Sequence, residues 1–176
     1  TATETVTVTV TGTNDTVVLA ADGTRIDGEG ETVGAGGVGL ADLSATVTEV
    51  TDGASGDGDP QTVTGTIVFA DEDINDTPTV TVDNGTVGAT YTKDGVTFTA
   101  AGTGANDALT DLPTPVQNAI NALKTAITLT PTVGNDDDGT VAWSNTIDDD
   151  ALDFLAAGES VDLSYTITAD DRTATA

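Results

Sequence analysis

Apolar and hydroxyl-bearing residues alternate along much of this chain. From Thr5 to Thr11, Val6, Val8 and Val10 interleave with threonines, a period of two that predicts a half-buried strand. The same period puts Val161, Leu163, Tyr165 and Ile167 on one face of Ser160–Ala169, and Val63, Ile67 and Phe69 on one side of Gln61–Ala70. Shorter runs predict strands over Val17–Leu19, Ser44–Val50, Thr77–Val82, Gly88–Thr92, Val96–Ala100, Ile127–Thr130 and Thr140–Ile147. Asp83-Asn84-Gly85 and Lys93-Asp94-Gly95 read as hairpin turns, and Thr51–Pro60 as a loop. The glycine-rich stretch Ala20–Asp42 reads as mostly irregular. In Thr114–Thr125 the period changes: Val116, Ile120 and Leu123 fall on one helical face, with Thr114 placed to cap and Pro115 in the first turn.

Many short strands between Gly/Asp turns predict an all-β fold, an antiparallel β-sandwich with one short helix. Its core would use Phe69, Trp143, Phe154, Leu155 and Tyr165 with the alternating Val and Ile positions. The 176 residues suit one large β domain or two small ones. Without cysteine the fold has no disulfides and no zinc–thiolate site.

Charge changes the picture more than composition does. Thirty acidic side chains face four basic ones, a formal net charge of −26. The cations Arg25, Lys93, Lys124 and Arg172 are scattered, which argues against nucleic acid and anionic membrane as partners. No segment has the apolar length of a membrane-spanning helix, so membrane insertion is not expected. With no His and no Cys for nucleophilic or acid–base work, and no cleft signature around a carboxylate pair, an enzyme is not expected either.

Carboxylates that converge on one point repel, take up protons, or share a hard cation. Asp71-x-Asp73 follows a strand end, where alternation aims both side chains the same way, and Asp76 is close behind. Calcium, which takes six to eight oxygens, fits this pattern better than magnesium, which gives up its water reluctantly. Gly12-Thr13-Asn14-Asp15 forms a second oxygen-rich corner at the end of the first strand, with Asx turn capping as its alternative reading. Asp136–Asp138 and Asp148–Asp150 read as solvated turns in preference to calcium sites, while Asp52, Asp57 and Asp59 sit among glycines like a calcium loop. No EF-hand spacing is present.

Gly139–Asp171, GTVAWSNTIDDDALDFLAAGESVDLSYTITADD, resembles the closing half of the Ig-like (VCBS or cadherin-like) tandem repeats of giant RTX-type bacterial biofilm adhesins. Gly65–Asp73 is similar to that family's G-T-L-x-F-x-D-x-D element, and Thr7–Asp15 to its V-T-V-T-G-T-N-D linker. Ala20–Asp42 is longer than the usual linker, and the Gly/Asp nonapeptides of an RTX secretion domain are absent. The resemblance implies an Ig-like, calcium-stiffened extender repeat on the surface of a Gram-negative bacterium, exported by type I secretion. Its partners would be the neighbouring repeats of the same polypeptide. It also implies that Asp71, Asp73 and Asp76, with Glu49, Asp170, Asn14 and Asp15, supply calcium ligands at junctions. Calcium sites of extracellular modules bind at about 10⁻⁴–10⁻³ M.

In that family the Tyr165–Asp171 strand turns back into the V-T-V-T-V-T strand, yet here these lie at opposite ends of the chain. Residues 1–15 are therefore expected to be the last strand and linker of a preceding repeat register. Residues 16–176 would be a repeat lacking its own last strand, as in a fragment cut within a hairpin. Head-to-tail strand pairing between fragments follows as an expectation. The alternative is a carbohydrate- or surface-binding β-sandwich, which needs an exposed aromatic platform. The six aromatic residues, Phe69, Tyr91, Phe98, Trp143, Phe154 and Tyr165, fall mostly at inward strand positions.

Overall fold

The computed structural model describes residues 9, 11, 13–100, 102, 106–132 and 136–171. The predicted strand Thr5–Thr11 and the 1–15 unit thus lie mostly outside the described residues. Within them, Thr9 and Thr11 are exposed and belong to no strand.

Three antiparallel sheets and one helix make a sandwich-like all-β fold. The first sheet orders β1 (Val18–Leu19), β5 (Pro60–Ala70), β9 (Gly139–Asp148) and β8 (Thr128–Pro131) side by side. The second orders β10 (Ser160–Asp170), β6 (Thr79–Lys93) and β7 (Val96–Phe98). A small third sheet joins β3 (Thr32–Val33), β2 (Arg25–Ile26) and β4 (Gly39–Leu40). Helix α1 spans Thr114–Leu123. It is not long enough to cross a membrane, and no described helix is.

The core follows the period-two pattern. Ile67, Phe69, Val141 and Trp143 of the first sheet pack against Val80 and Ile167 of the second. Farther along, Ala89 and Tyr91 pack with Ile120 of α1 and Leu112, and Phe98 and Phe154 flank the Tyr91 ring at 5.9 and 6.2 Å between centroids. Phe69 and Trp143 are buried, and Phe154, Leu155 and Tyr165 are half-buried. Tyr165 uses its hydroxyl: it donates to Thr125 O at 2.7 Å and accepts from Asn145 Nδ2 at 2.8 Å, which satisfies the buried Asn145 amide.

Three sequence expectations are corrected. The glycine-rich stretch Ala20–Asp42 is mostly turns and loops, as expected, but three two-residue strands within it make the third sheet. Ala20, Ile26 and Ala41 there cover Val68 and Ala70, the outer-face residues of β5. Hence Ile67–Ala70 is buried on both faces. Asp83-Asn84-Gly85 does not reverse the chain. It bulges out of one continuous β6, and β10 pairs with both halves, shifting register between Ser164 and Thr166. Asp83 accepts the Gly85 amide, so the turn chemistry is real but local. Lys93-Asp94-Gly95, by contrast, is a true hairpin, with Asp94 and Gly95 at φ 49° and 76° and Lys93 paired to Val96.

Ser44–Val50 forms no ladder. After the Asp42–Thr66 bridge side chains fasten it at a few points: Leu43 N and Ser44 Oγ donate to Asp22, Thr48 O accepts from Gln61, and Val50 N donates to Asp149. Trp143 Nε1 donates to Asp42 O at 2.7 Å across Gly65, where any Cβ would collide with both groups. At the helix, Pro113 occupies the cap, Thr114 is the first helical residue, and no side chain caps.

The sandwich is open along one side. Between β10 and the extended Leu43–Glu49 segment lies a cleft of 780 Å³, whose walls include Val63, Trp143, Val161, Leu163 and Tyr165.

Candidate metal centre

Strand parity builds the site. The inward residues of β5 are odd-numbered, Ile67 and Phe69, and the chain leaves the sheet with Asp71 and Asp73 continuing that parity. The Asp73 amide donates to Asp71 Oδ1 at 2.9 Å, and the Asp76 amide to Asp73 O at 2.8 Å. This tight turn gathers one carboxylate oxygen each from Asp71, Asp73 and Asp76 within 4.8 Å of one another. Calcium–oxygen distances of about 2.3–2.6 Å allow oxygens that far apart to share one ion.

Burial makes the cluster unusual. Asp71 is 1% exposed and Asp76 6%. Asp71 Oδ2 is buried and has no hydrogen-bond partner among the described residues, and the same holds for Asp171 Oδ1. Burial pushes the Asp71 carboxyl above its ordinary 3.8. The Asp73 amide opposes this, while repulsion from Asp171, Asp73 and Asp76 adds to it. A buried carboxylate lone pair aimed at other carboxylates is costly unless a proton or a cation meets it.

The incoming chain is fastened to the same place. Asn14 Nδ2 donates to Asp171 Oδ2, and the Asp15 amide donates to Asp73 Oδ2 at 2.6 Å. Of the expected ligands, then, Asp71, Asp73, Asp76, Asn14 and Asp15 come together. Asp170 is the exposed end of β10, paired with Thr79. Its neighbour Asp171 is the residue that faces Asp71. The signal for Asp171 was in the alternation: inward positions of β10 run 161, 163, 165, 167 and 169, so 171 follows and 170 does not.

Glu49 belongs to a different cluster, with Asp52 and Asp153. Asp52 and Asp153 are exposed, and Glu49 is partly so. The Glu49 and Asp153 carboxyls are both raised, by desolvation first and then by repulsion from acidic neighbours that include Asp149 and Asp52. Asp149 beside them departs from the solvated-turn reading of Asp148–Asp150, which the exposed Asp148 and Asp150 follow. It is fully buried and accepts from Val50 N and Gln61 Nε2, a structural acceptor that holds the Ser44–Val50 segment. Asp57 accepts the Gly53 amide at 2.6 Å and so serves its own loop.

The arrangement can bind a hard cation with carboxylate oxygens. Tyr91 and Glu159 form the other perturbed pair. Burial and its bond to Glu159 push the Tyr91 hydroxyl up to about 12, and Lys93, the Ala156 amide and Tyr91 hold Glu159 at about 2. This pair packs in the second core region and stabilises the fold. Phe69, Tyr91 and Trp143 are buried and offer no exposed stacking platform. Compared with protein-family models, curated proteins and solved structures, the chain matches none.

Proposed function

We propose that this chain is a structural extender module whose entry junction is stiffened by calcium, and that it serves in tandem on a large bacterial surface adhesin. The observation that carries the reading is the buried, unpartnered Asp71 Oδ2, set among Asp73, Asp76 and Asp171 at the point where Asn14 and Asp15 enter. Asp71, Asp73 and Asp76 would hold the ion, with Asp171 completing its shell. The ion would neutralise four converging carboxylates. Because Asp73 and Asp171 also bind the linker, it would lock the angle between the linker and the sandwich. Stiffness and reach are then the product of the fold, and no reaction is required. The resemblance of Gly139–Asp171 to adhesin repeats supports the cell-surface setting.

The test is small-angle scattering from a polypeptide carrying several copies in tandem. Calcium is expected to lengthen the particle towards a rod, and a chelator to return it to a flexible string. Identical profiles in calcium and chelator would reject the proposal.

A further inference from the structure

The exposed edge of β10 and the cleft beside it are shaped for one more strand. β10 pairs with β6 on one side and with no described residue on the other. Unpaired edges are commonly protected by lysine or proline, and SVDLSYTITAD contains neither. The inward residues Val161, Leu163, Tyr165 and Ile167 are only half-buried, because the cleft leaves them uncovered.

One segment of this chain fits the gap. Thr5–Thr11 carries three valines on one side, threonines on the other and no charge. At about 3.4 Å per residue its seven residues span about 24 Å, within the roughly 37 Å of β10. Chain direction decides whose copy it comes from. Asn14 is bonded to Asp171, beyond the C-terminal end of β10. A strand laid along β10 from that anchor would run parallel to it, whereas every ladder between the described strands is antiparallel. Parallel pairing is the weaker arrangement per residue. A second molecule has no such tether and can approach in the antiparallel sense. Its own body would then lie beyond the Ser160 end.

We propose that Thr5–Thr11 of one molecule adds to the free edge of β10 in another, antiparallel, with its valines in the cleft. Donor and acceptor surfaces differ, so the contact is heterologous and propagates head to tail without closing. With −26 charges per copy, association strengthens as salt rises, since the docking strand itself is uncharged.

The experiment is sedimentation of the whole chain from micromolar to millimolar concentration at moderate and high salt. It is run beside Val8→Pro, which removes a ladder donor from the middle of the docking segment. Wild-type mass is expected to rise through successive multiples of one copy, and Val8→Pro to remain monomeric. Val8→Pro still accepts a strand, so added to wild type it should cap the chains and lower their mean mass. It should also bind a labelled peptide of residues 4–14, and not the same peptide carrying Val8→Pro. A wild-type chain that stays monomeric throughout overturns the proposal, and peptide uptake by Val8→Pro alone would then assign the edge to pairing within one chain. Equal assembly of wild type and Val8→Pro also overturns it.

Discussion

The two acidic clusters found among the described residues contain the same kinds of residue and differ in nearly everything else. Asp71, Asp73 and Asp76 sit at the buried end of β5, with an orphaned oxygen and the incoming linker bonded to them. Glu49, Asp52 and Asp153 converge equally well in space, but largely in solvent. Water can solvate the second group and screen its repulsion. The first group has no such recourse. Proximity of carboxylates is therefore common and cheap, and burial of an unpaired lone pair is what marks a site.

The largest effect that would separate the clusters is calcium itself. At 100 times its dissociation constant an ion bound only by the folded state adds about 2.7 kcal/mol. For a domain of this size that is roughly 5–10 °C in melting temperature, readable by calorimetry in calcium against chelator. Absence of any shift would remove the distinction altogether.

Next is Asp71→Asn, for which two opposite signs are expected. In chelator it should stabilise by about 1 kcal/mol, because a buried charge is deleted and the amide gains acceptors in Asp171 and its neighbours. In calcium it should destabilise relative to wild type, because a ligand is lost. Denaturant melts in both buffers give the comparison, and a single sign in both would break it.

A smaller effect is expected with pH. The folded-state values of Asp71, Glu49 and Asp153 are raised, so their contribution to stability is present at low pH and is lost as pH rises through them. Glu159, depressed to about 2, works the other way, and its contribution is lost only as pH falls below its ordinary 4.5. In chelator, stability should thus increase from pH 7 towards pH 5. With calcium bound that gain should shrink or reverse, since protons compete with the ion. Thermal melts across this window in both buffers test it.

The smallest effect belongs to the exposed cluster. Asp153→Asn should change stability by no more than about 0.5 kcal/mol and leave the calcium-dependent shift intact. If it abolished that shift, the assignment of the two clusters would have to be exchanged.

What was legible in the sequence was local and periodic. β5, β9, β10 and α1 emerge within a residue or two of their expected bounds, since alternation and helical spacing report which face is buried. The Lys93-Asp94-Gly95 turn was legible because both central residues adopt the left-handed conformation that turn requires. Asp83-Asn84-Gly85 has similar chemistry but lies opposite an eleven-residue β10, whose pairing on both sides of the bulge outweighs the tendency to reverse. Ser44–Val50 has strand-like residues, but it is held by the side chains of Asp22, Gln61 and Asp149, remote in sequence, and not by a ladder. The aim of Asp71 and Asp73 was legible from parity, whereas the place of Glu49 beside Asp52 and Asp153 was not, because nothing local says which loop it meets.

The sequence alone determined the strands, the helix, the excess of carboxylates and the aim of Asp71 and Asp73, because each follows from neighbours a few positions away. Only the tertiary structure decided which carboxylates lose water. Asp71 is dry where the inward face of β5 meets the end of β10, with Asp171, remote in the chain and bonded to Asn14, beside it. Desolvation is a property of everything packed around a group, and no local pattern encodes it.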